Sequence, residues 1–448
     1  MLEALVNSFK IPDLKRRLII TAILLAVYRV GCFVPTPGID GAALAEFLSR
    51  FSKTQGGALF GIINMFSGGA MERLTIFALG IMPYISASII LQLLTAVIPA
   101  LEKLSKEGKA GYEKINQYTR YGTVVLSLIQ SFFIALWLEN PARFEGLRIV
   151  MYPGWGFRLL TMLTLTTGTI FIMWLGEQIQ EHGIGNGISL IIAAGIISRI
   201  PTAIQTLFML FSPFKPSQRQ IQPFTLLIMA VLLVSVVFLV ILITQAQRKI
   251  PVQYARRVVG RKIFGGQSTY IPLKVDQSGV IAIIFAQSII LFPATLASFI
   301  PNPAFQRLAQ SLMRGHLVYT LLYALLIIFF CYFYTAIVFN PNDLAENMKK
   351  YGGFIPGIRP GTATAEFLDF VMTRITLAGA VFIACIAIFP DFIMAWLKVP
   401  YLVASFFGGT GILIVVGVML DTIKQIESHL IMHHYEGFIS GSRIKGRR

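Results

Sequence analysis

The stretch Pro223-Phe-Thr-Leu-Leu-Ile-Met-Ala-Val-Leu-Leu-Val-Ser-Val-Val-Phe-Leu-Val-Ile-Leu-Ile-Thr-Gln245 holds no charged residue and almost no polar one. A helix needs about 20 predominantly apolar residues to cross a hydrocarbon core of roughly 30 Å. This run suffices, and it is not alone. Apolar runs stand near 18–34, 74–98, 121–138, 158–176, 188–210, 223–245, 277–300, 317–339, 371–390 and 401–420. Arg199 and Pro201 interrupt the fifth. Of the 448 residues 55% are hydrophobic and only 13% charged. A soluble domain carries roughly 25% charged residues, because its whole surface faces water. Here the solvent is lipid.

Ten spans put both termini on one side. The N-terminus, the loops 99–120, 176–187, 246–276 and 340–374, and the C-terminal tail hold 25 of the 38 Lys and Arg residues. The opposite loops hold 12, and Arg29 lies inside the first span. Basic loops stay cytoplasmic, so both ends are expected in the cytoplasm. Division into five spans each, 1–210 and 211–448, makes the second half enter the membrane upside down. Inverted repeats of this kind place a pathway at their pseudo-symmetry axis. The basic residues Lys10, Lys15, Arg16 and Arg17 precede an apolar run that lacks a cleavage-like small-residue site, so no cleavable signal peptide is expected.

Within those boundaries the spans contain no Asp or Glu, and all five histidines lie outside them or at their edges. Intramembrane carboxylates and histidines are the usual apparatus of proton relays. Their scarcity disfavours a proton-coupled carrier but leaves open a secondary transporter whose ion sites use carbonyls and hydroxyls. The sequence carries neither G-x-x-x-x-G-K-[ST] nor H-E-x-x-H, so no nucleotide or zinc chemistry is implied. Cys32, Cys331 and Cys385 lie in apolar runs without metal-ligand spacing. No enzyme and no cofactor is expected.

Between the first two spans runs Gly56-Gly-Ala-Leu-Phe-Gly-Ile-Ile-Asn-Met-Phe-Ser-Gly-Gly-Ala70. It is apolar, too short to span, and flanked by glycines. Composition leaves two readings open: a short helix folded back into a cavity, or an amphipathic helix on the outer surface. The loop 246–276 carries Arg248, Lys249, Arg256, Arg257, Arg261 and Lys262, and the loop 340–374 carries Lys349, Lys350 and the turn Gly357-Ile-Arg-Pro-Gly361. Pro360 and the flanking glycines predict a rigid turn from which Arg359 projects. Such loops serve orientation and lipid headgroups, or dock on RNA phosphates and acidic proteins.

Five segments together resemble the SecY family of protein-conducting channels. They are Asn64-Met-Phe-Ser-Gly-Gly-Ala70, Phe77-Ala-Leu-Gly-Ile-Met-Pro-Tyr-Ile-Ser-Ala-Ser-Ile89, Gln117-Tyr-Thr-Arg-Tyr-Gly122, Trp174-Leu-Gly-Glu-Gln178 with Gly183-Ile-Gly-Asn-Gly-Ile-Ser189, and the Gly357–Gly361 turn. The resemblance runs along nearly the whole chain. It implies an all-α polytopic membrane protein, with ten transmembrane helices in two inverted five-helix halves around a central hourglass pore. It also implies a re-entrant plug helix near 60–73, including Asn64, Met65, Phe66, Ser67, Gly68 and Gly69.

By the same resemblance Ile81, Ile85, Ile188, Ile192, Ile284 and Ile414 form an aliphatic constriction. The pairs Ile81/Ile85 and Ile188/Ile192, spaced i, i+4, each share one helix face. Spans two and seven form a lateral gate, with Ser86, Ser88, Gln92 and Gln287 as its polar contacts. Arg256, Arg257, Arg261, Lys262 and Arg359 match positions that contact the ribosome, through its rRNA, or the SecA motor. The implied partners are SecE, SecG, SecA, the ribosome, signal sequences, unfolded preproteins and membrane lipids. The implied location is the cell's inner, cytoplasmic membrane. Ala282 departs from the family, many of whose members carry Pro after Gly279-Val-Ile281.

Overall fold

A computed structural model describes residues 11–41, 43, 44, 47, 64–140, 149–211, 223–254, 257–259, 262–264, 268–299, 311, 317–397, 401–404 and 409–441. In chain order the helices are α1 (Pro12–Gly31), α2 (Met82–Val97), α3 (Pro99–Lys106), α4 (Lys109–Leu138), α5 (Trp155–His182), α6 (Gly187–Ile197), α7 (Ile200–Phe211) and α8 (Pro223–Gln245). Then come α9 (Val280–Phe299), α10 (Leu317–Val338), α11 (Pro341–Lys350), α12 (Thr362–Leu397), α13 (Tyr401–Ala404) and α14 (Thr410–Gly441). A helix stands in each of the ten predicted runs. By length and composition six spans qualify to cross a membrane among the described residues, and the α2–α3 pair makes a seventh.

The run that decides the class behaves as lipid-facing helix should. In α8 only 17% of the most apolar window is buried, and Phe224, Val231, Val234 and Phe238 are exposed. Water would make so large an apolar face untenable.

Chain chemistry sets the ends. Ile98 is extended (φ −95°, ψ 113°) because the ring of Pro99 disfavours the helical region for the residue before it. The helix therefore breaks there, and α3 leaves α2 at 100°. The α4–α5 hairpin is pinned by an ion pair at each end. Arg120 grips Glu177 through Nε (2.8 Å) and Nη2 (2.9 Å). At the other end Glu139 accepts from the Gly154 N–H (2.9 Å) and from Arg158 Nε (2.7 Å), which closes the entry to α5.

Three expectations need correction. The second run was expected to be helical from residue 74, but helix starts only at Met82, and residues 67–81 form turns and an isolated bridge. Gly68, Gly69 and Gly80 all have positive φ, and Leu74 joins them at 43°; Pro83 then sits in the first turn of α2. The plug was expected to be a helix. Its described part has one helical turn, 64–66, and residues 60–63 lie outside the described residues. The tenth run was expected to be one span over 401–420; it divides into α13 and α14, and α14 continues to Gly441.

The chain is mainly helical, as expected, and the basic loops add a small sheet to the bundle. β1 (Gln247–Tyr254) pairs antiparallel with β4 (Ser268–Lys274) and with β5 (Gly353–Phe354), in the order β4-β1-β5. A separate ribbon joins β2 (Arg257–Val259) to β3 (Lys262–Phe264). The two basic loops thus share a sheet with its own core, in which Ile250, Val252, Leu273, Met348, Ile355 and Leu368 pack together.

The close seat of α6 against α5 gives a test. A Cβ on Gly187 would run into the backbone carbonyl of Gly176, which cannot yield like a side chain. Gly187→Ala is expected to destabilise the protein by about 1–3 kcal/mol, the usual cost of overpacking, read as a lower unfolding temperature in detergent.

Candidate functional site

The six isoleucines ride on four helices that neighbour one another. The α2 helix packs on α9, α9 on α14, and α14 on α6. Ile81 sits at the start of α2 with Ile85 one turn on; Ile188 and Ile192 belong to α6, Ile284 to α9 and Ile414 to α14. Five of them are buried, and Ile188 is partly buried. All six join one apolar cluster, and Met65 and Phe66 from the 64–80 segment enter the same cluster. An aliphatic assembly offers no hydrogen bond and no charge, so it can exclude ions by dewetting while holding no particular side chain.

The 64–80 segment is tied down by polar contacts that the sequence reading missed. Ser67 Oγ donates to the Asn64 carbonyl (3.3 Å) and accepts from the Met71 N–H (3.2 Å). Asn64 Nδ2 donates to Glu72 Oε2 (2.8 Å), and the Glu72 N–H donates to Asn64 Oδ1 (3.0 Å). From α1, Arg29 Nη1 donates to the Gly68 carbonyl (3.0 Å) and the Tyr28 hydroxyl to the Ser67 carbonyl (3.4 Å). From the junction of α6 and α7, Arg199 Nη1 donates to Glu72 Oε2 (2.8 Å). Burial pushes the Glu72 carboxyl up, but Arg199, Asn64 and Arg73 outweigh it and hold the group below its ordinary value. Only glycine fits at 68, because a Cβ there would stand 3.0 Å from the Gly195 Cα of α6.

A signal for these contacts was present in the sequence. Arg29 and Arg199 are cations inside apolar runs, and such residues face a partner. What could not be read was which partner.

Of the residues expected at the gate, Ser86 is buried on α2. Gln92 Nε2 donates to Ser88 Oγ (3.2 Å) within α2 itself. Gln287 is 1% exposed on α9, and among the described residues neither end of its amide has a hydrogen-bond partner. An unmatched buried amide is costly. Ala282, at the start of α9, is wholly buried.

On the side of the basic loops a cavity of ≈ 440 Å³ with mixed lining opens among α6, α9 and α14, where Asn186, Ser189, Asp276, Asp421, Lys424 and Gln425 stand beside aliphatic residues such as Val280 and Leu413. Asp276 precedes α9, and its Oδ1 accepts from the Gly279 N–H (2.7 Å) and Ser278 Oγ (3.1 Å). Burial raises its carboxyl above the ordinary value, and the Asp421 charge adds to the rise. The residues expected to dock partners divide. Arg359 is exposed at the tip of its turn, with Gly357 and Gly361 at positive φ, and Thr364 Oγ1 donates to the Arg359 carbonyl (2.8 Å). Arg257 and Lys262 lie on β2 and β3, whereas Arg256 and Arg261 fall outside the described residues.

A helical membrane bundle with a re-entrant turn against a buried aliphatic cluster, and a basic sheet at one end, defines a polytopic channel-like protein. The SecY family model matches residues 75–423. The chain is 48% identical to "Protein translocase subunit SecY" of Escherichia coli (strain K12) over 438 residues, 97% of this chain and 96% of that protein. Its fold is similar to that of a SecY channel described as having a plug domain that stabilises the closed state and maintains a membrane seal (TM-score 0.59, 18% identity, covering 93% of this chain and 92% of that one). It is also similar to Sec61 in a canine ribosome–channel complex from the endoplasmic reticulum (TM-score 0.58, 16% identity, 93% of each chain). The chain belongs to the SecY family.

The Asp276 environment yields a pH prediction. A carboxyl whose folded pKa is raised costs the folded state stability as pH climbs from its unfolded pKa through its folded one. Both bonds to Asp276 end on Oδ1, which asparagine retains. Asp276→Asn is therefore expected to match the wild type below about pH 4 and to exceed it in thermal stability at neutral pH.

Proposed function

We propose that the chain is a passive protein-conducting channel that lets unfolded preproteins cross the cytoplasmic membrane and releases membrane segments sideways into lipid. The observation that carries this reading is the meeting of six isoleucines from four helices with Met65 and Phe66 in one apolar cluster, in a chain 48% identical to a translocase subunit. A collar without polar groups suits a substrate of any sequence, since it discriminates by size and holds nothing.

In this reading the halves 1–210 and 211–448 are inverted repeats about the pore, and both termini face the cytoplasm. The isoleucines form the constriction, and the segment near 60–73 is the plug that seals it from outside. Helices α2 and α9 form the lateral gate; Ser86, Ser88, Gln92 and Gln287 meet signal sequences and membrane anchors there. The unsatisfied amide of Gln287 supports that role, because an incoming segment would give it a partner. The basic sheet and the Arg359 turn receive the SecA motor or the ribosome, including its rRNA, and SecE and SecG accompany the channel. The canine Sec61 likeness, which comes from a ribosome complex, favours the ribosome among these partners.

The decisive experiment reconstitutes the protein with its accessory subunits in liposomes and adds motor, ATP and a signal-bearing unfolded precursor. Precursor reaching a protease-protected compartment is the expected result. Ion-gradient-driven uptake of a small solute with no precursor import overturns the channel in favour of a secondary transporter. In the same assay Arg359→Glu is expected to cut import at least about tenfold while the protein accumulates normally in the membrane, since reversing a docking charge leaves like charges facing each other. A failure to accumulate would mark the turn as structural instead.

A further inference from the structure

We propose that Glu72 and Arg199 form a charge latch that positions the 64–80 segment against the α6–α7 junction and sets how readily that segment leaves. The inference rests on reading the segment as the plug, and adds to that reading the residue pair that governs its release.

The geometry converges on one oxygen. Glu72 Oε2 receives Arg199 Nη1 at 2.8 Å and Asn64 Nδ2 at 2.8 Å. Asn64 in turn takes the Glu72 N–H on its own Oδ1. The carboxylate thus staples the two ends of the turn together and fastens both to a second element. Arg199 sits in the two-residue break where α6 ends at Ile197 and α7 begins at Ile200. Its guanidinium lies over the turn, only 3.1 Å from where a Cβ on Gly69 would stand. Among the described residues the buried Arg199 Nε has no hydrogen-bond partner, and Glu72 is the carboxylate that pairs with this guanidinium.

Charge separates this contact from the other tethers. Arg29 and Tyr28 bind main-chain carbonyls of residues 68 and 67, groups that no side-chain substitution removes. Glu72 and Arg199 are both side chains and both ionised, so their attraction can be reversed and then restored. The Arg199 side chain is 15% exposed and that of Glu72 49%. A half-wet pair is moderate in strength and screened by salt. A gate calls for such a contact, firm at rest and weak enough to yield when a polypeptide enters.

Resting ion conductance of the complete channel in planar bilayers, without precursor, tests the latch. Glu72→Arg and Arg199→Glu are each expected to raise it about fivefold, the factor to which ~1 kcal/mol converts, and the double swap is expected to return it to the wild-type level. Deleting residues 64–70 serves as the control for the plug itself. Single reversals at wild-type conductance, with a raised conductance in the deletion, overturn the latch and leave the plug standing. No change even in the deletion removes the plug reading, and the latch falls with it. A rise in the single variants that the double swap fails to undo overturns the pairing. Should a reversal not accumulate in the membrane, Glu72→Gln replaces it; about a twofold rise is expected, and wild-type conductance overturns the proposal.

Discussion

In hydrocarbon a backbone amide has no water to turn to, so every N–H and C=O must find its partner within the protein. That constraint organises this molecule. Helices meet it by themselves and can face lipid, as α8 does almost bare. The irregular stretch 64–80 cannot. It is tolerated because α1, α2 and the α6–α7 junction surround it and because Asn64, Ser67, Tyr28 and Arg29 supply the bonds that a helix would have supplied internally. The cations set around it, Arg29 and Arg199, follow from the same need, since a turn with free carbonyls invites positive charge.

The aliphatic cluster and the charged hub beside it divide the work. The cluster gains by excluding water and is indifferent to sequence. The hub is directional: it fixes one conformation of one segment. A pore closed by grease alone would be leaky to shape fluctuations, and one closed by ion pairs alone would hold charged substrates. Met65 and Phe66 on one side of the turn, and Glu72 on the other, let a single short segment use both kinds of contact.

Much of this was legible in the residues, and the misses have physical causes. Runs such as 223–245 and 317–339 matched their helices closely, because a continuous apolar stretch admits one solution in lipid. Helix ends were less clear. Beyond their apolar runs, α1, α4, α12 and α14 continue as helix that carries charged residues, where apolar content no longer marks a boundary. The start of α2 was misplaced by about two turns because Leu74–Ile81 is as apolar as helix but contains positive φ at Leu74 and Gly80. The sheet was missed for a different reason. β1 and β5 are a hundred residues apart, and a two-residue strand has no periodicity to read. Of the site, the isoleucine pairs on α2 and α6 could be placed on one helix face from spacing, but their meeting with Ile284 and Ile414 came only through family resemblance. Arg199 was visible as an interruption of an apolar run, while Glu72 looked like an ordinary loop residue.

The short β1–β5 pairing has a mechanical consequence. Gln253 opposite Phe354 and Tyr254 opposite Gly353 couple one basic loop to the other, and the loops are continuous with α8, α9, α10 and α12. A pull on the Arg359 tip therefore does not bend one hairpin in isolation. It is shared between the strand that ends α8 and the segment that opens α12, as a strut distributes load between two beams, so that torque at the surface arrives in the bundle as a rigid tilt.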